Sequence, residues 1–290
     1  MRIAHVPSQV SRQPRAVCIG TFDGVHRGHQ GVIRTAIDTG LAPTVLTFDP
    51  HPRAALGNRV ELISTLERRL ELLGINGVET TLLAGFTHEL MLLSPEAFAE
   101  EYLRAIGAEV VIAGEDFRFG HRRTGDLALL ERLGFQVIQA PEVPDVSSSK
   151  IRQALRDGDI AGAARMLGRP PELDGIVVGG DQRGGTLGFP TANLQPIPEL
   201  VSPLYGIYAG MWGSEGKRAA ISIGTNPHYG GTEQRIEAFL LDFSGNLYGK
   251  RLVIELWERL RGEQSFDSEQ ALIEQIARDV AATRAATRPA

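Results

Sequence analysis

A single cysteine, Cys18, leaves this 290-residue chain without the means to form an internal disulfide, which suits a reducing compartment. Cys18 lies in an apolar run, where a small buried residue is expected rather than a nucleophile. No stretch is long and apolar enough to span a bilayer, and the opening residues MRIAHVPSQVSRQPR hold no signal-peptide core. A net charge of −5 with no block of like charge leaves no electrostatic footprint for nucleic acid or an anionic membrane. Internal repeats and low-complexity segments are absent as well. These absences predict a soluble, cytoplasmic protein with no nucleic-acid or membrane partner; the oligomeric state is not legible. What is present is globular. With 42% hydrophobic and 22% charged residues, the chain can form one large or two ordinary domains, each with its own core.

Residues 16 to about 168 alternate short apolar runs with amphipathic segments. Residues 16–19, 43–48, 80–83, 109–113 and 135–139 read as strands. Residues 30–37, 65–73, 95–106 and 125–133 read as helices, with Ser94 and Pro95 as a cap and a first-turn proline. This alternation predicts a parallel sheet with helices on both faces and ligands at the carboxyl ends of the strands. The pattern changes after Gly168-Arg169-Pro170-Pro171. Residues 174–180, 204–212, 218–223, 235–243 and 251–258 are strand-like, separated by glycine-rich turns. No helix is evident until Asp267-Ser268, where an Asp-x-x-Gln capping pattern opens a segment with Leu272, Ile276 and Val280 on one face. The second half therefore predicts a small antiparallel barrel with one helix packed on it, a boundary near 169–172, and a frayed tail at 281–290.

The most informative stretch is Gly20-Thr21-Phe22-Asp23-Gly24-Val25-His26-Arg27-Gly28-His29, between a buried strand and a helix. A glycine-punctuated turn of this kind presents free backbone N–H groups and the positive end of a helix dipole, which together hold phosphate. Two histidines three residues apart add donors that can follow charge onto phosphate oxygens in a transition state. A lone HxxH pair is often a surface pair or half of a metal site, and a lone glycine-rich turn is often only a turn. Their coincidence after a strand, with Asp23 inside the loop, favours the functional reading.

GTFDGVHRGH resembles the opening motif of the HxGH nucleotidylyltransferases, and more closely that of the prokaryotic bifunctional riboflavin kinase/FMN adenylyltransferases, or FAD synthetases. Three further segments of the first half agree in order. Thr47-Phe48-Asp49-Pro50-His51-Pro52-Arg53 follows the second strand, and its prolines suit a rigid binding wall as well as an ordinary tight turn. Gly114-Glu115-Asp116-Phe117-Arg118-Phe119-Gly120 is either a hairpin packing its aromatics into the core or part of a ligand pocket. Val146-Ser147-Ser148-Ser149-Lys150-Ile151-Arg152 is first a helix cap, and also a set of hydroxyl, amide and cationic donors for polyphosphate.

The second half carries Gly180-Asp181-Gln182-Arg183-Gly184-Gly185-Thr186-Leu187-Gly188-Phe189-Pro190-Thr191-Ala192-Asn193. It is neither a Walker A loop nor a GxGxxG fingerprint. Its composition alone reads as a flexible loop, yet the closing Thr191 and Asn193 share one face of a strand, and such oxygen donors suit Mg²⁺. Glu237 sits on a strand among apolar neighbours, which calls for a partner, a function, or an exposed face on an edge strand.

The resemblance implies an α/β chain. A Rossmann-like HxGH nucleotidylyltransferase domain would cover 1–168, and a small antiparallel riboflavin-kinase-like β-barrel with a C-terminal helix 172–290. It implies that His26 and His29 hold the ATP triphosphate, with Gly20, Phe22, Asp23, Gly24, Ser148, Ser149 and Arg152 around the nucleotide. Asp49, His51, Arg53, Asp116, Phe117 and Arg261 would bind flavin. In the barrel, Gly180, Gly184, Gly188, Thr191 and Asn193 would take ATP, Thr191 and Asn193 would hold Mg²⁺, and Glu237 would be the general base. The implied ligands are ATP, Mg²⁺, riboflavin, FMN and FAD. Ser222–Pro227, Leu247–Lys250 and Gln264–Asp267 extend the likeness. His228-Tyr229 and Phe239 depart from it, because many relatives have Thr-Phe and His there. The competing expectations are one retained activity, a different nucleotidylyltransferase, or a flavin-binding regulator without turnover.

Overall fold

The computed structural model describes residues 1–140, 142–180, 183–225 and 234–289. By packing, the chain divides into two compact units: Met1–Val60 with Leu66–Val146, and Glu61–Thr65 with Ser147–Ala290.

The first unit is built on β1 (Arg2–Ala4), β2 (Arg15–Ile19), β3 (Ala42–Asp49), β4 (Thr80–Gly85), β5 (Ala108–Ala113) and β6 (Gln136–Gln139). They form one sheet in the order β1-β4-β3-β2-β5-β6, parallel throughout. All five residues of β2 are buried, as a central strand covered on both faces requires. Ala16 and Cys18 point into one core with Ile33, Leu72 and Leu73, while Val17 and Ile19 point into the other with Leu90, Phe98 and Leu130. Burial pushes the Cys18 thiol up to about 12, so it stays protonated and inert. α1 (Arg27–Asp38) and α3 (Leu66–Ile75) cover the first face; α4 (His88–Leu92), α5 (Pro95–Phe98) and α6 (Leu127–Arg132) cover the second, and α2 (Pro52–Ala55) is a single turn after β3. Strand order runs one way from β2 through β3 to β4 and the other way through β5 to β6. The reversal falls at β2, so the crevice at its carboxyl end is where an open α/β sheet accepts a ligand.

Two details differ from the sequence reading. β1 is three residues long, too short to give a periodic signal, and it pairs with β4. The helix expected over 95–106 is α5 followed by a π-helical stretch, Ala99–Arg104.

The second unit is a closed barrel of β7 (Glu172–Val178), β8 (Ala192–Leu194), β9 (Gly206–Trp212), β10 (Lys217–Thr225), β11 (Gln234–Leu240) and β12 (Arg251–Arg261), in the order β10-β11-β8-β7-β12-β9 and antiparallel at every pairing. α7 (Ser148–Asp157) and α8 (Ile160–Leu167) pack with this unit, although they continue the alternation of the first half in sequence. Ile151, Leu155, Ile160 and Leu167 share the barrel core with Leu194, Tyr208, Ile221 and Ile254. A short helix, α9 (Arg183–Thr186), occurs where none was expected. α10 (Glu269–Ala285) is capped by Ser268, whose hydroxyl accepts from the Ala271 N–H at 3.2 Å, one residue beyond the expected Asp267.

The tail is docked rather than frayed. α10 continues to Ala285, Thr283 and Ala286 are buried, and Arg218 donates to the Thr283 and Ala286 carbonyls at 2.9 and 2.7 Å. Arg288 closes a two-pronged pair with Glu255 at 2.8 and 2.7 Å. The alanine-rich composition hid these partners, which come from β10 and β12. Replacing Arg288 with Ala is expected to lower barrel stability by about 1–2 kcal/mol; the half-exposed arginine keeps the cost below that of a fully buried pair. Urea unfolding followed by tryptophan fluorescence measures it, because Trp212 and Trp257 both lie in this unit. An unchanged midpoint would mean that the tail contributes nothing.

Candidate active sites

The turn after β2 has a rare backbone. Phe22 and Val25 adopt left-handed φ of +52° and +41°, and both are fully buried. A β-branched residue there is strained, and such strain persists only where the surroundings enforce it. The turn delivers His26 to the N-cap of α1, where its Nδ1 accepts from the His29 N–H at 3.4 Å. The two imidazoles stack at 3.7 Å with an interplanar angle of 14°, and the Phe22 ring leans on His29 at 5.0 Å. Gly28 leaves the His26 ring room, since a Cβ there would lie a tight 3.1 Å from it. Gly20 ties the start of the turn to β3 through its N–H to the Leu46 carbonyl at 3.2 Å, and Asp23 and Gly24 are buried within the turn.

His29 is half-buried, but its Nδ1 is closed off and has no hydrogen-bond partner among the described residues. Burial first, then His26, then Arg69 hold its pKa well below the ordinary 6.5. His29 is therefore neutral near pH 7, with one N–H left to donate.

The other expected residues of the first unit leave the sheet at the same edge. Asp49 ends β3, is exposed, and precedes a cis proline, Pro50. His51 caps α2, its Nδ1 accepting from the Arg53 N–H at 3.1 Å, and Arg53 is exposed. Asp116 and Phe117 follow β5, with Asp116 exposed. Phe117 stacks on buried Phe119 at 5.5 Å and so belongs in part to the core. The turn, the 49–53 loop and the 116–117 loop thus come from three adjacent strands, β3, β2 and β5.

Ser148, Ser149 and Arg152 lie in the first turns of α7, within the second compact unit. The cap itself is Ser147, whose hydroxyl accepts from the Lys150 N–H at 3.2 Å.

In the barrel, Glu237 lies on β11 opposite Asn193 of β8 and Ser222 of β10. Closure gives β11 a neighbour on each side, which removes the edge-strand explanation for an acid here. Ile236, Ala238 and Leu240 point into the core, so Glu237 and Phe239 point away from it. There a cavity of about 420 Å³ is lined by Thr191, Asn193, Glu237, Phe239 and Arg261 together with the inward side of α10. The Thr191 hydroxyl donates to Glu237 Oε2 at 3.3 Å. Gly180 allows the close approach of Asn193, since a Cβ there would overlap its carboxamide. Gly184 accepts from the Phe189 N–H at 2.7 Å, and Gly188 turns the chain at φ +87°. Phe239, where many relatives carry His, packs edge-to-face on Phe189 at 5.5 Å. His228 and Tyr229 lie outside the described residues.

Arg261 lines this cavity with its guanidinium committed elsewhere. It pairs with Asp279 of α10 at 3.0 and 2.7 Å and donates to the Gly262 carbonyl at 2.9 Å. Asp279 and Arg69 were not among the expected site residues, yet both carried a signal in the sequence. Each is a charged residue on the apolar face of its helix, Asp279 beside Ile276 and Arg69 between Leu66 and Leu72-Leu73, and a charge so placed is paired inside.

The depressed His29 gives a stability signature. Below pH 6.5 the unfolded chain binds a proton at His29 that the folded chain refuses, so stability falls as pH drops, by at most about 1.4 kcal/mol per pH unit. Above pH 7 His29 contributes no slope. In urea unfolding followed by circular dichroism, the loss from pH 7.5 to 5.5 is expected to be larger in the parent than in His29→Asn. Equal losses would exclude a neutral buried His29.

Known proteins resemble both halves of the chain. A family model described as FAD synthetase matches residues 8–154, and one described as riboflavin kinase matches residues 167–287. The bifunctional riboflavin kinase/FMN adenylyltransferase of Listeria monocytogenes is 36% identical, with 93% of this chain and 92% of that protein covered. The Escherichia coli K12 protein of the same description is 35% identical, with 96% and 95% covered. A crystal structure described as a macrolide-efflux protein from Streptococcus pneumoniae aligns with a TM-score of 0.86 at 31% identity, over 97% of this chain and 98% of that one. Among the described residues, no helix of this chain is long and apolar enough to cross a membrane. With a FAD synthetase match and a riboflavin kinase match in tandem, and full-length relatives at this identity, the chain belongs to the bifunctional riboflavin kinase/FMN adenylyltransferase family.

Proposed function

We propose that this chain phosphorylates riboflavin to FMN with ATP and then adenylylates FMN to FAD, working in the cytoplasm on small molecules alone. The observations that carry the reading are a stacked histidine pair with a neutral His29 at a sheet switch point, and a carboxylate facing a cavity in a barrel. Residues 1–168 would serve adenylyl transfer and 172–290 riboflavin phosphorylation.

In the barrel, Glu237 takes the proton of the ribityl 5′-hydroxyl as that oxygen attacks the γ-phosphorus of ATP and ADP departs. Thr191 orients the carboxylate through its hydrogen bond. Gly180, Gly184 and Gly188 shape the loop over the nucleotide, and Arg261 with Asp279 forms the flavin-side wall. Among the described residues no group of three or more His, Cys, Asp or Glu side chains could hold a metal ion. Mg²⁺ needs no such cage, because it keeps water and phosphate ligands, and the hydroxyl and amide oxygens of Thr191 and Asn193 fit it. When bound it would neutralise charge on the transferring phosphates.

In the first site, a phosphate oxygen of FMN attacks the α-phosphorus of ATP and pyrophosphate leaves. Positioning and charge stabilisation dominate such a step. His26 and His29 hold the triphosphate, with His29 nearest the developing charge, on a turn shaped by Gly20, Phe22, Asp23 and Gly24. Ser148, Ser149 and Arg152 steady the β/γ end, and Asp49, His51, Arg53, Asp116 and Phe117 surround the flavin nucleotide.

Incubation with riboflavin, ATP and Mg²⁺, followed by separation of the flavins, is expected to yield FMN and then FAD. FMN alone, or no product, would leave one activity or a non-catalytic flavin binder. His29→Ala should lower FAD formation from FMN by roughly 10²–10³ while leaving riboflavin phosphorylation intact. Glu237→Gln should do the reverse, abolishing FMN formation and sparing adenylylation. Equal loss of both steps in either variant would refute the division of labour.

A further inference from the structure

We propose that Arg69 is the positioning residue of the adenylyl-transfer site: its buried guanidinium ties the turn after β2 to the end of β3 and thereby fixes the histidine pair. The inference rests on the reading of His26 and His29 as phosphate-handling groups.

Arg69 projects from α3 and is 3% exposed. One terminal nitrogen donates to the Thr21 carbonyl at 3.0 Å, and the other to the Phe48 carbonyl at 3.3 Å. Thr21 immediately precedes left-handed Phe22, whose ring leans on His29. Phe48 precedes Asp49 at the end of β3. The fork therefore spans the two chain segments that frame the site. The same Thr21 carbonyl accepts from buried Thr47 at 3.3 Å, so the turn is held at one atom from two directions. Strained residues keep their conformation only when something outside the turn enforces it. This pair of donors is positioned to do so.

A neutral donor could tie two carbonyls at a lower desolvation cost. The charge itself therefore needs a reason. The groups facing it are Asp23 of the turn and Asp49 of β3, which favour the cation, and His29, whose protonation it opposes alongside His26. The remaining Nε is buried and has no partner among the described residues. A fixed cation under a turn that receives phosphate strengthens anion binding in a low-dielectric site, and it keeps His29 neutral. Lys could supply the charge but not the planar fork that reaches two carbonyls on separate segments.

The test uses the whole protein, with Arg69→Met and Arg69→Lys. Arg69→Met should lower kcat for FMN adenylylation by about 10²-fold, the scale of a small misplacement of reacting groups. It should also move the acid limb of the pH–rate profile to higher pH, because His29 then protonates more readily. Riboflavin phosphorylation in the same sample should stay parental and report an intact barrel. Arg69→Lys should lower the rate while leaving the acid limb in place. A folded Arg69→Met that adenylylates at the parental rate overturns the inference, and so does a slowed one whose acid limb has not moved. If Arg69→Met does not fold, Arg69→Lys decides alone, and a parental rate in it overturns the role of the fork. A parent that makes FMN but no FAD would instead sink the adenylyl-transfer reading and this inference with it.

Discussion

The carbonyl oxygen of Thr21 accepts one hydrogen bond from a buried guanidinium and another from a buried hydroxyl, and the first site is built outward from that atom. Arg69 and Thr47 come from α3 and β3, so two elements of the sheet layer hold a turn that belongs to neither. Beyond Thr21 the backbone passes through left-handed Phe22 and Val25, conformations that isolated chains avoid. Only a turn fixed at its root can pass through them and still deliver His26 to the start of α1. The stack of His26 on His29 follows, and with it the closure of His29 Nδ1 and the neutrality of that ring.

The barrel meets a comparable demand by different means. The carboxylate proposed as its general base, Glu237, stands mid-strand, where alternation assigns each residue to the core or to the outer face. Apolar neighbours at 236, 238 and 240 fill the inside, so Glu237 faces outward. On most small barrels that face would be wet. Here α10 covers part of it, anchored by Asp279 to Arg261 and by its final carbonyls to Arg218, and the acid lines the cavity between helix and strands. The helix is thus a wall of the site as well as a stabilising element. This explains why its end is docked.

Much of this was legible in the sequence because it is local. The buried run at β2, the glycine turn, the histidine spacing and the alternation along β11 each arise within about ten residues and follow from period and sterics. The strand-helix grammar of the first half and the strand-turn grammar of the second indicated their architectures for the same reason. What escaped was non-local. α7 and α8 read as part of the first half, yet their apolar faces complete the barrel core. Residues 281–290 read as a loose end, yet Thr283, Ala286 and Arg288 find partners on β10 and β12. Arg69 and Asp279 drew no notice in the sequence, because their partners lie far away along the chain.

The sequence by itself determined which residues could do chemistry: the pair His26 and His29, the oxygen donors Thr191 and Asn193, and the acid Glu237. Residue type and spacing are chemical facts that survive without a fold. The tertiary structure alone decided the electrical state and setting of those groups. Burial beside Arg69 makes His29 neutral, barrel closure denies Glu237 an edge, and Asp279 claims the guanidinium of Arg261. Desolvation and charge pairing depend on what surrounds an atom in space, and most of those neighbours lie far away along the chain.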